Sequence, residues 1–284
     1  MTSTETDKTK YTRLIACIRP HEAATLAVSG GVDSLLLLHA AREALDDNIV
    51  AYTATGPFFD PDETGRAAEE AELLGVTHRE IFFDPFSIDD LVRNGPDRCY
   101  ICKLRLFGYV LDAARREGFH VVMDGTNADD PGDYRPGIRA LGELKVVSPL
   151  WEAGLTKKDI RALSRMLGIE GGDRPAKACY ASRFPYGERI TPEGVERVRK
   201  AEAHLSEMGF VQYRVRSHGD AARVEIATGE MDRALRRDVA TEISRRLKEA
   251  GFLYVSLDLD GYRTGSLNAF LDDAVFTRKD ATKK

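Results

Sequence analysis

A short apolar segment that stops at two glycines and continues as a helix constrains this chain more than any other feature. Residues 25–28 read Thr-Leu-Ala-Val, which is typical of a buried parallel strand. Ser29, Gly30 and Gly31 interrupt it, and residues 32–45 carry leucines and alanines at helical spacing. Glycines at the start of a helix let backbone N–H groups point at one spot. The segment predicts an anion-binding turn, and the alternative is a turn that only caps the helix.

The residues of this turn separate it from the common phosphate loops. It contains neither the Gly-Lys-Ser/Thr of a Walker loop nor G-x-G-x-x-G. The sequence Ser-Gly-Gly-Val-Asp-Ser at 29–34 instead resembles the pyrophosphate loop of ATP-pyrophosphatases, which cleave ATP between the α and β phosphates. The resemblance implies that Asp33 helps to hold Mg²⁺. It also implies that the departing pyrophosphate is held by Ser29, Gly30, Gly31 and Ser34.

Strands and helices alternate through the first part of the chain. Strand-like segments at 49–55, 77–83 and 121–123 are separated by helical patterns, which predicts an α/β fold with a parallel sheet. Ligands bind at the carboxyl edge of such sheets. We therefore expect an adenine nucleotide across this edge, near backbone atoms of Ala54 and Gly125.

The pattern changes after about residue 170. A polar connection is followed by α+β patterning, with helices expected at 192–209 and 230–250 and strands at 211–216, 222–227 and 252–259. We predict a first domain at 1–170 and a smaller C-terminal α+β domain at 171–284. In the first domain, 129–144 reads as a loop and 146–150 as a further strand.

Charge and hydropathy narrow the class of protein. The 284 residues carry a net charge of −5 with both signs interleaved, which argues against a general nucleic-acid surface. No apolar run approaches the roughly 20 residues of a membrane span, and the first residues lack a signal-peptide core. We expect a cytoplasmic protein, in which the four cysteines are not a disulfide framework.

Three of the cysteines lie in polar surroundings. Cys99 and Cys102 form a C-x-x-C before Lys103, and Cys179 lies among arginines and lysines that favour its thiolate. Cys17 lies among apolar residues and is expected to be buried and inert. The order of elements argues against a redox dithiol, whereas a zinc site, a four-iron cluster and simple packing stay open.

A pair of arginines marks the second domain. Arg214 and Arg216 alternate along a predicted strand and point to one face, where two guanidiniums can clamp a phosphate or carboxylate. The competing interpretation is a surface ion-pair network with Glu202 and Asp232.

Taken together, these motifs resemble one family. The turn at 29–34 combines with C-Y-I-C-K, A-C-Y-A-S-R-F-P-Y-G, Y-R-V-R and L-D-L-D-G-Y-R-T-G-S-L-N. The combination resembles the ATP-dependent sulfur transferases of nickel-pincer cofactor biosynthesis, often called LarE, from about Thr25 to Leu267. The resemblance implies a Rossmann-like sheet of the adenine nucleotide alpha hydrolase type.

The same resemblance implies a reaction. Such enzymes adenylate a carboxylate of pyridinium-3,5-biscarboxylic acid mononucleotide, release pyrophosphate and replace oxygen with sulfur. It places Lys103, Ser182 and Arg183 around the reacting phosphate and carboxylate. Arg214 and Arg216 would grip the phosphate of the substrate, supported by Glu202 and Asp232.

The sulfur source divides the family into two versions. In one, a cysteine matching Cys179 gives up its own sulfur; in the other, three cysteines hold a [4Fe-4S] cluster that carries the transferred sulfide. The presence of Cys99, Cys102 and Cys179 matches the cluster version. The expected partners are sulfide or a sulfur carrier and other enzymes of the same cofactor synthesis. Some members are hexamers, so a homo-oligomer is also expected by resemblance.

Two other functions compete. Related pyrophosphate-loop enzymes thiolate tRNA, but the acidic net charge and the lack of an RNA-binding module argue against that substrate. A non-catalytic nucleotide or metal sensor would use Asp33 and the thiols for binding only.

Overall fold

The computed structural model describes residues 6–130, 136–170 and 177–263. The chain divides into two compact units. The first comprises the chain up to Asp84 together with Cys99–Lys177, and the second comprises Pro85–Arg98 together with the chain from Ala178 onward. The second unit is thus assembled from two separate pieces of sequence.

The helices and strands of both units follow one another along the chain. Their bounds are α1 (Asp7–Ile18), β1 (Ala24–Ala27), α2 (Val32–Leu45), β2 (Ile49–Thr55), α3 (Pro61–Leu73), β3 (Thr77–Phe82), α4 (Asp89–Val92), α5 (Arg98–Arg116), β4 (Val122–Met123), α6 (Pro136–Glu143), α7 (Pro149–Glu152), α8 (Lys157–Leu167), α9 (Pro192–Glu207), β5 (Tyr213–His218), β6 (Ala221–Ile226), α10 (Met231–Leu235), α11 (Arg237–Glu249) and β7 (Tyr254–Leu257).

A parallel sheet of order β3-β2-β1-β4 organises the first unit. β1 pairs with β2 on one side and with β4 on the other, with Leu26 opposite Ala51 and Met123. This confirms the α/β fold class. Because β1 is an inner strand, the turn that follows it opens at the middle of the carboxyl edge of the sheet.

The helix after that turn is the centre of the first core. The four consecutive leucines 35–38 of α2 are at most 2% exposed, so this helix is covered on nearly all sides. Burying each leucine stabilises the fold by about 1.5–3 kcal/mol. The start of α2 is therefore held firmly, and this also keeps the turn before it in place.

The second unit contains a three-stranded sheet of order β5-β6-β7. β5 and β6 are antiparallel, whereas β6 and β7 are parallel. Helix α9 packs on β5, and α11 packs on α9 and β7. The returning segment joins this unit through backbone hydrogen bonds, from the Ile190 N–H to the Val92 oxygen and from the Gly187 N–H to the Asn94 oxygen.

Three local predictions were wrong. Part of the expected loop at 129–144 is helix α6, because Pro136 occupies a first-turn position where a missing N–H has no cost. The expected strand at 146–150 contributes one bridge, between Met123 and Val147, before α7 begins at Pro149. The expected helix at 230–250 is interrupted by the extended backbone of Arg236, which separates α10 from α11.

Thr156 and Asp159 form a capping box at the start of α8. Among the helices of the described ranges, none combines the length and the apolar character needed to cross a membrane.

Candidate functional site

The turn between β1 and α2 requires glycine at one position. Gly30 has φ +80°, and a Cβ atom there would lie 1.8 Å from the backbone oxygen of Glu63. Gly31 is the N-cap of α2 and has no side chain to occupy the space before the helix. The backbone N–H groups at this helix start are therefore accessible to an anion, and the helix dipole favours negative charge there.

Two serines hold the turn in shape. The Ser29 N–H donates to Ser34 Oγ at 3.1 Å, and Ser34 Oγ donates to the Gly31 oxygen at 2.9 Å. The two hydroxyl oxygens are 3.2 Å apart. The hydroxyls thus brace the backbone, and the Ser29 hydroxyl can turn its proton towards a bound anion.

The acidic residue of the turn is held by a lysine. Lys157 Nζ donates to both carboxylate oxygens of Asp33, at 2.6 and 2.5 Å, and Asn127 Nδ2 donates to Oδ2 at 3.2 Å. Lys157 was not predicted as a site residue. Its position as the first residue of α8, directly after the capping Thr156, is the local signal that the sequence carries. A cation and a carboxylate therefore meet beside the turn.

A second carboxylate lies just after β4. Asp124 accepts from Thr126 Oγ1 and Ser148 Oγ, each at 2.6 Å, and Lys103 Nζ is 3.6 Å from Asp124 Oδ2. Gly125 packs against the first turn of α2, where a Cβ would lie 3.1 Å from the Ser34 nitrogen. Lys103, Gly125, Asp33 and the turn thus belong to one unit and border its carboxyl edge, at which β2 contributes Ala54.

The first two cysteines lie in the first turn of α5. Cys99 and Cys102 are three residues apart, which places them on one face of the helix, and both are partly buried. Cys179 is exposed and precedes a 3-10 turn at Tyr180–Arg183. Within the described ranges, no three His, Cys, Asp or Glu side chains are grouped so that they could hold a metal ion.

A buried ion pair fixes the backbone around Cys179. Arg183 is 1% exposed and makes a two-pronged contact with Glu202, with both distances 2.9 Å. Its Nη1 also donates to the backbone oxygens of Ala178 and Cys179, at 2.6 and 3.1 Å, and to Ser182 Oγ at 2.9 Å. Burial alone would lower the pKa of Arg183, but the Glu202 carboxylate raises it above its ordinary value. Arg183 stays charged and holds the loop.

The two arginines of β5 are also buried, each 6% exposed. Arg216 makes a two-pronged contact with Glu225, at 3.0 and 2.8 Å, and its Nη1 donates to the Ser182 oxygen at 2.7 Å. The guanidinium of Arg214 lies over the ring of Tyr262. Burial lowers the pKa of Arg214 most, and the positive charge of Arg183 lowers it further. Arg216 therefore takes part in a buried network with Glu225, a residue that sequence reasoning did not select.

The two acidic residues expected beside these arginines differ in position. Glu202 is buried between Arg183 and β5, where it also accepts the Val215 N–H at 2.9 Å. Asp232 lies on α10 and is exposed.

Comparisons with known proteins first define a class. A family described as asparagine synthase matches residues 19–131, which include the turn, all four strands of the parallel sheet and the whole of α5. With the glycine turn at the carboxyl edge of a parallel sheet, this match defines a PP-loop ATP-pyrophosphatase domain. ATP and Mg²⁺ are consistent with such a domain.

Longer matches then define the family. The chain is 37% identical over 268 residues to pyridinium-3,5-bisthiocarboxylic acid mononucleotide synthase of Lactiplantibacillus plantarum, covering 94% of this chain and 96% of that one. It is 39% identical over 250 residues to the Synechocystis protein slr1717, covering 88% and 93%. The chain belongs to the LarE family of ATP-dependent sulfurtransferases. A shorter match, 31% over 110 residues, reaches tRNA-cytidine(32) 2-sulfurtransferase of Anaeromyxobacter, covering 37% and 36%.

Proposed function

We propose that this enzyme adenylates a carboxylate of pyridinium-3,5-biscarboxylic acid mononucleotide and replaces its oxygen with sulfur. The observation that supports this proposal most is the exposed thiol of Cys179, which lies on a loop held by the buried side chain of Arg183. The same chain also has the glycine turn at residues 29–34. A carboxylate is a poor acyl donor, and adenylation makes its oxygen part of AMP, a good leaving group. A sulfur nucleophile can then attack the carbonyl carbon.

We assign the adenylation step to the first unit. Ser29, Gly30, Gly31 and Ser34 hold the departing pyrophosphate, whose developing charge the helix start stabilises. The Asp33 carboxylate has the oxygen donors that Mg²⁺ prefers, and the ion would neutralise phosphate charge. Lys103 contacts the reacting phosphate and carboxylate. Backbone atoms near Ala54 and Gly125 contact the adenine.

Lys157 has a specific place in this scheme. Asp33 would hold Mg²⁺, and the Lys157 ammonium that donates to Asp33 would also be able to donate a strong, charge-assisted hydrogen bond to a phosphate. We predict that Lys157→Met weakens ATP binding about 10- to 100-fold, measured by calorimetry with a non-hydrolysable ATP analogue and Mg²⁺. Lys158→Met is the control, because Lys158 is exposed. Equal affinities for the two variants would contradict this role.

We assign the phosphate of the substrate to the second unit. Arg214 and Arg216 are both buried on β5, and the charge of nearby Arg183 contributes to lowering the pKa of Arg214 after burial itself. Guanidinium groups grouped in this way can bind a phosphate, which we place beside Arg214 and Arg216. Ser182 and Arg183 then border the reacting carboxylate, with Glu202 as the buried support of Arg183 and Asp232 at the exposed rim.

For the sulfur source we propose the three cysteines, Cys99, Cys102 and Cys179. Three thiolates can ligate a [4Fe-4S] cluster and leave one iron open, and such a cluster would supply an extra sulfide. What supports this choice is the ligand set: a C-x-x-C pair and a third, exposed cysteine are the three thiols that such a cluster needs. Sulfide or a sulfur carrier would then restore the extra sulfide. The alternative is loss of the Cys179 sulfur itself.

One experiment separates these sources. We predict that Cys179→Ser abolishes thiocarboxylate formation but keeps substrate-dependent pyrophosphate release within about twofold, because the turn is untouched. Cys17→Ala serves as the control. Anaerobic mass spectrometry before and after turnover then decides the source: an unchanged chain with bound iron supports the cluster, whereas loss of one sulfur from Cys179 supports sacrifice. A Cys179→Ser variant that still forms thiocarboxylate would reject both.

The match to a tRNA sulfurtransferase favours a second candidate function, in which the substrate that receives sulfur is tRNA. That match covers about a third of this chain, in contrast to the 94% shared with the mononucleotide synthase. Filter binding with tRNA at several salt concentrations tests it. Tight, salt-sensitive binding would favour tRNA, and its absence would favour the mononucleotide.

A further inference from the structure

Arg98 is an arginine buried in the second unit, 3% exposed. Its Nη1 donates to the Ala181 oxygen at 2.9 Å and to the side-chain oxygen of Asn94, and the guanidinium lies 5.4 Å from the ring centre of Tyr186. Burying a guanidinium is costly unless it is hydrogen-bonded. These contacts satisfy the buried guanidinium, and the one with Ala181 reaches the segment that carries Cys179.

The contact completes a set of backbone contacts around Cys179. Arg183 holds the oxygens of Ala178 and Cys179, Arg98 holds that of Ala181, and Arg216 holds that of Ser182. These four backbone oxygens, spread over five consecutive residues, each accept from a buried guanidinium. A peptide whose oxygen is fixed cannot rotate, so the exposed thiol is carried on a rigid backbone.

Asn94 reinforces this arrangement. Asn94 is fully buried, and its backbone has φ +58°. This conformation is uncommon for residues other than glycine, although asparagine adopts it more often than most. Its Nδ2 donates to the oxygens of Phe184 and Pro185, at 3.2 and 2.7 Å. The segment 85–98 therefore holds the loop from one side, with Arg98 as the contact nearest to Cys179.

We propose that Arg98 is a positioning residue for Cys179, acting through the Ala181 peptide. This role rests on the proposed sulfur transfer and adds to it a residue that acts more strongly on the sulfur step than on adenylation. Misplacing a reacting atom by about 1 Å can cost on the order of 10²-fold in rate.

The test uses three variants of the full chain. Arg98→Met removes the donor at similar length, Arg98→Lys keeps a charged donor, and Arg93→Met is the control on the same segment, where Arg93 is an exposed partner of Asp89. For each, we would measure substrate-dependent ATP–pyrophosphate exchange, single-turnover thiocarboxylate formation, and amide hydrogen exchange over 178–187 by mass spectrometry.

For Arg98→Met we expect thiocarboxylate formation to be slower by about 10- to 100-fold and pyrophosphate exchange to fall by clearly less, because the pyrophosphate turn is untouched. Amide exchange over 178–187 should be about tenfold faster. Arg98→Lys should recover part of both losses, and Arg93→Met should change neither. Unchanged sulfur transfer in Arg98→Met, or equal losses in both partial reactions, would overturn the proposal.

The hydrogen-exchange measurement needs no substrate. If the unaltered protein failed to exchange pyrophosphate with the pyridinium substrate, the proposed function would fail. The amide exchange of Arg98→Met would still decide whether Arg98 holds the Cys179 loop. Exchange as slow as in the unaltered protein would overturn that contact independently of the reaction.

Discussion

Gly30→Ala is expected to abolish substrate-dependent ATP–pyrophosphate exchange, with a loss of at least about 100-fold. The added Cβ would lie 1.8 Å from the Glu63 oxygen, a distance that no rotation of a side chain can relieve. Either the turn or the start of α3 must shift, and a shift of the turn moves the N–H groups that face the pyrophosphate. The measurement is exchange of radiolabelled pyrophosphate into ATP.

Gly118→Ala is the matched control. Gly118 has φ +86°, close to the +80° of Gly30, but a Cβ there meets no atom within 4 Å. Both variants carry the same left-handed strain, about 1–2 kcal/mol, and only Gly30→Ala carries the clash. If the two variants lost activity equally, strain alone would explain the loss, and the close approach at Gly30 would have no special role.

Arg183→Met is expected to lower the free energy of unfolding by about 3–5 kcal/mol, because it leaves the Glu202 carboxylate buried without its cation. Sulfur transfer should be lost with it, since the oxygens of Ala178 and Cys179 lose their donor. Urea denaturation followed by circular dichroism measures the first effect, and single-turnover thiocarboxylate formation measures the second.

Two further variants sharpen this prediction. Lys200→Met removes one member of an exposed pair with Glu196 on α9 and should cost no more than about 0.5 kcal/mol. The double variant Arg183→Met/Glu202→Leu removes both buried charges and should recover part of the lost stability, but not the activity. Recovery of activity in the double variant would show that the loop needs no guanidinium.

The first unit was largely predictable because its signals are local. A strand, a glycine turn and a leucine-rich helix follow one another within residues 24–45, and hydrophobic spacing alone distinguishes them. The capping box of α8 lies within four residues of sequence. The predictions at α6 and α7 were wrong because proline, which breaks the interior of a helix, is also favoured at the first position of a helix.

The partners of the site residues were not predictable, because they lie far away in sequence. Lys157 contacts Asp33 across 124 positions, and Arg98 contacts Ala181 across 83. No pattern in the sequence indicates that 85–98 returns to the second unit. Glu225 is nine positions from Arg216, but only the β5–β6 pairing, in which Arg214 lies opposite Glu225, brings it close.

The return of residues 85–98 has a consequence for dissection of the molecule. A fragment starting at Ala178 would leave the carbonyl groups of Phe184 and Pro185 without the amide of Asn94, and that of Ala181 without Arg98. A single cut in the gene therefore cannot yield an intact second unit. An exchange of the C-terminal part between homologous enzymes would have to carry residues 85–98 along with it.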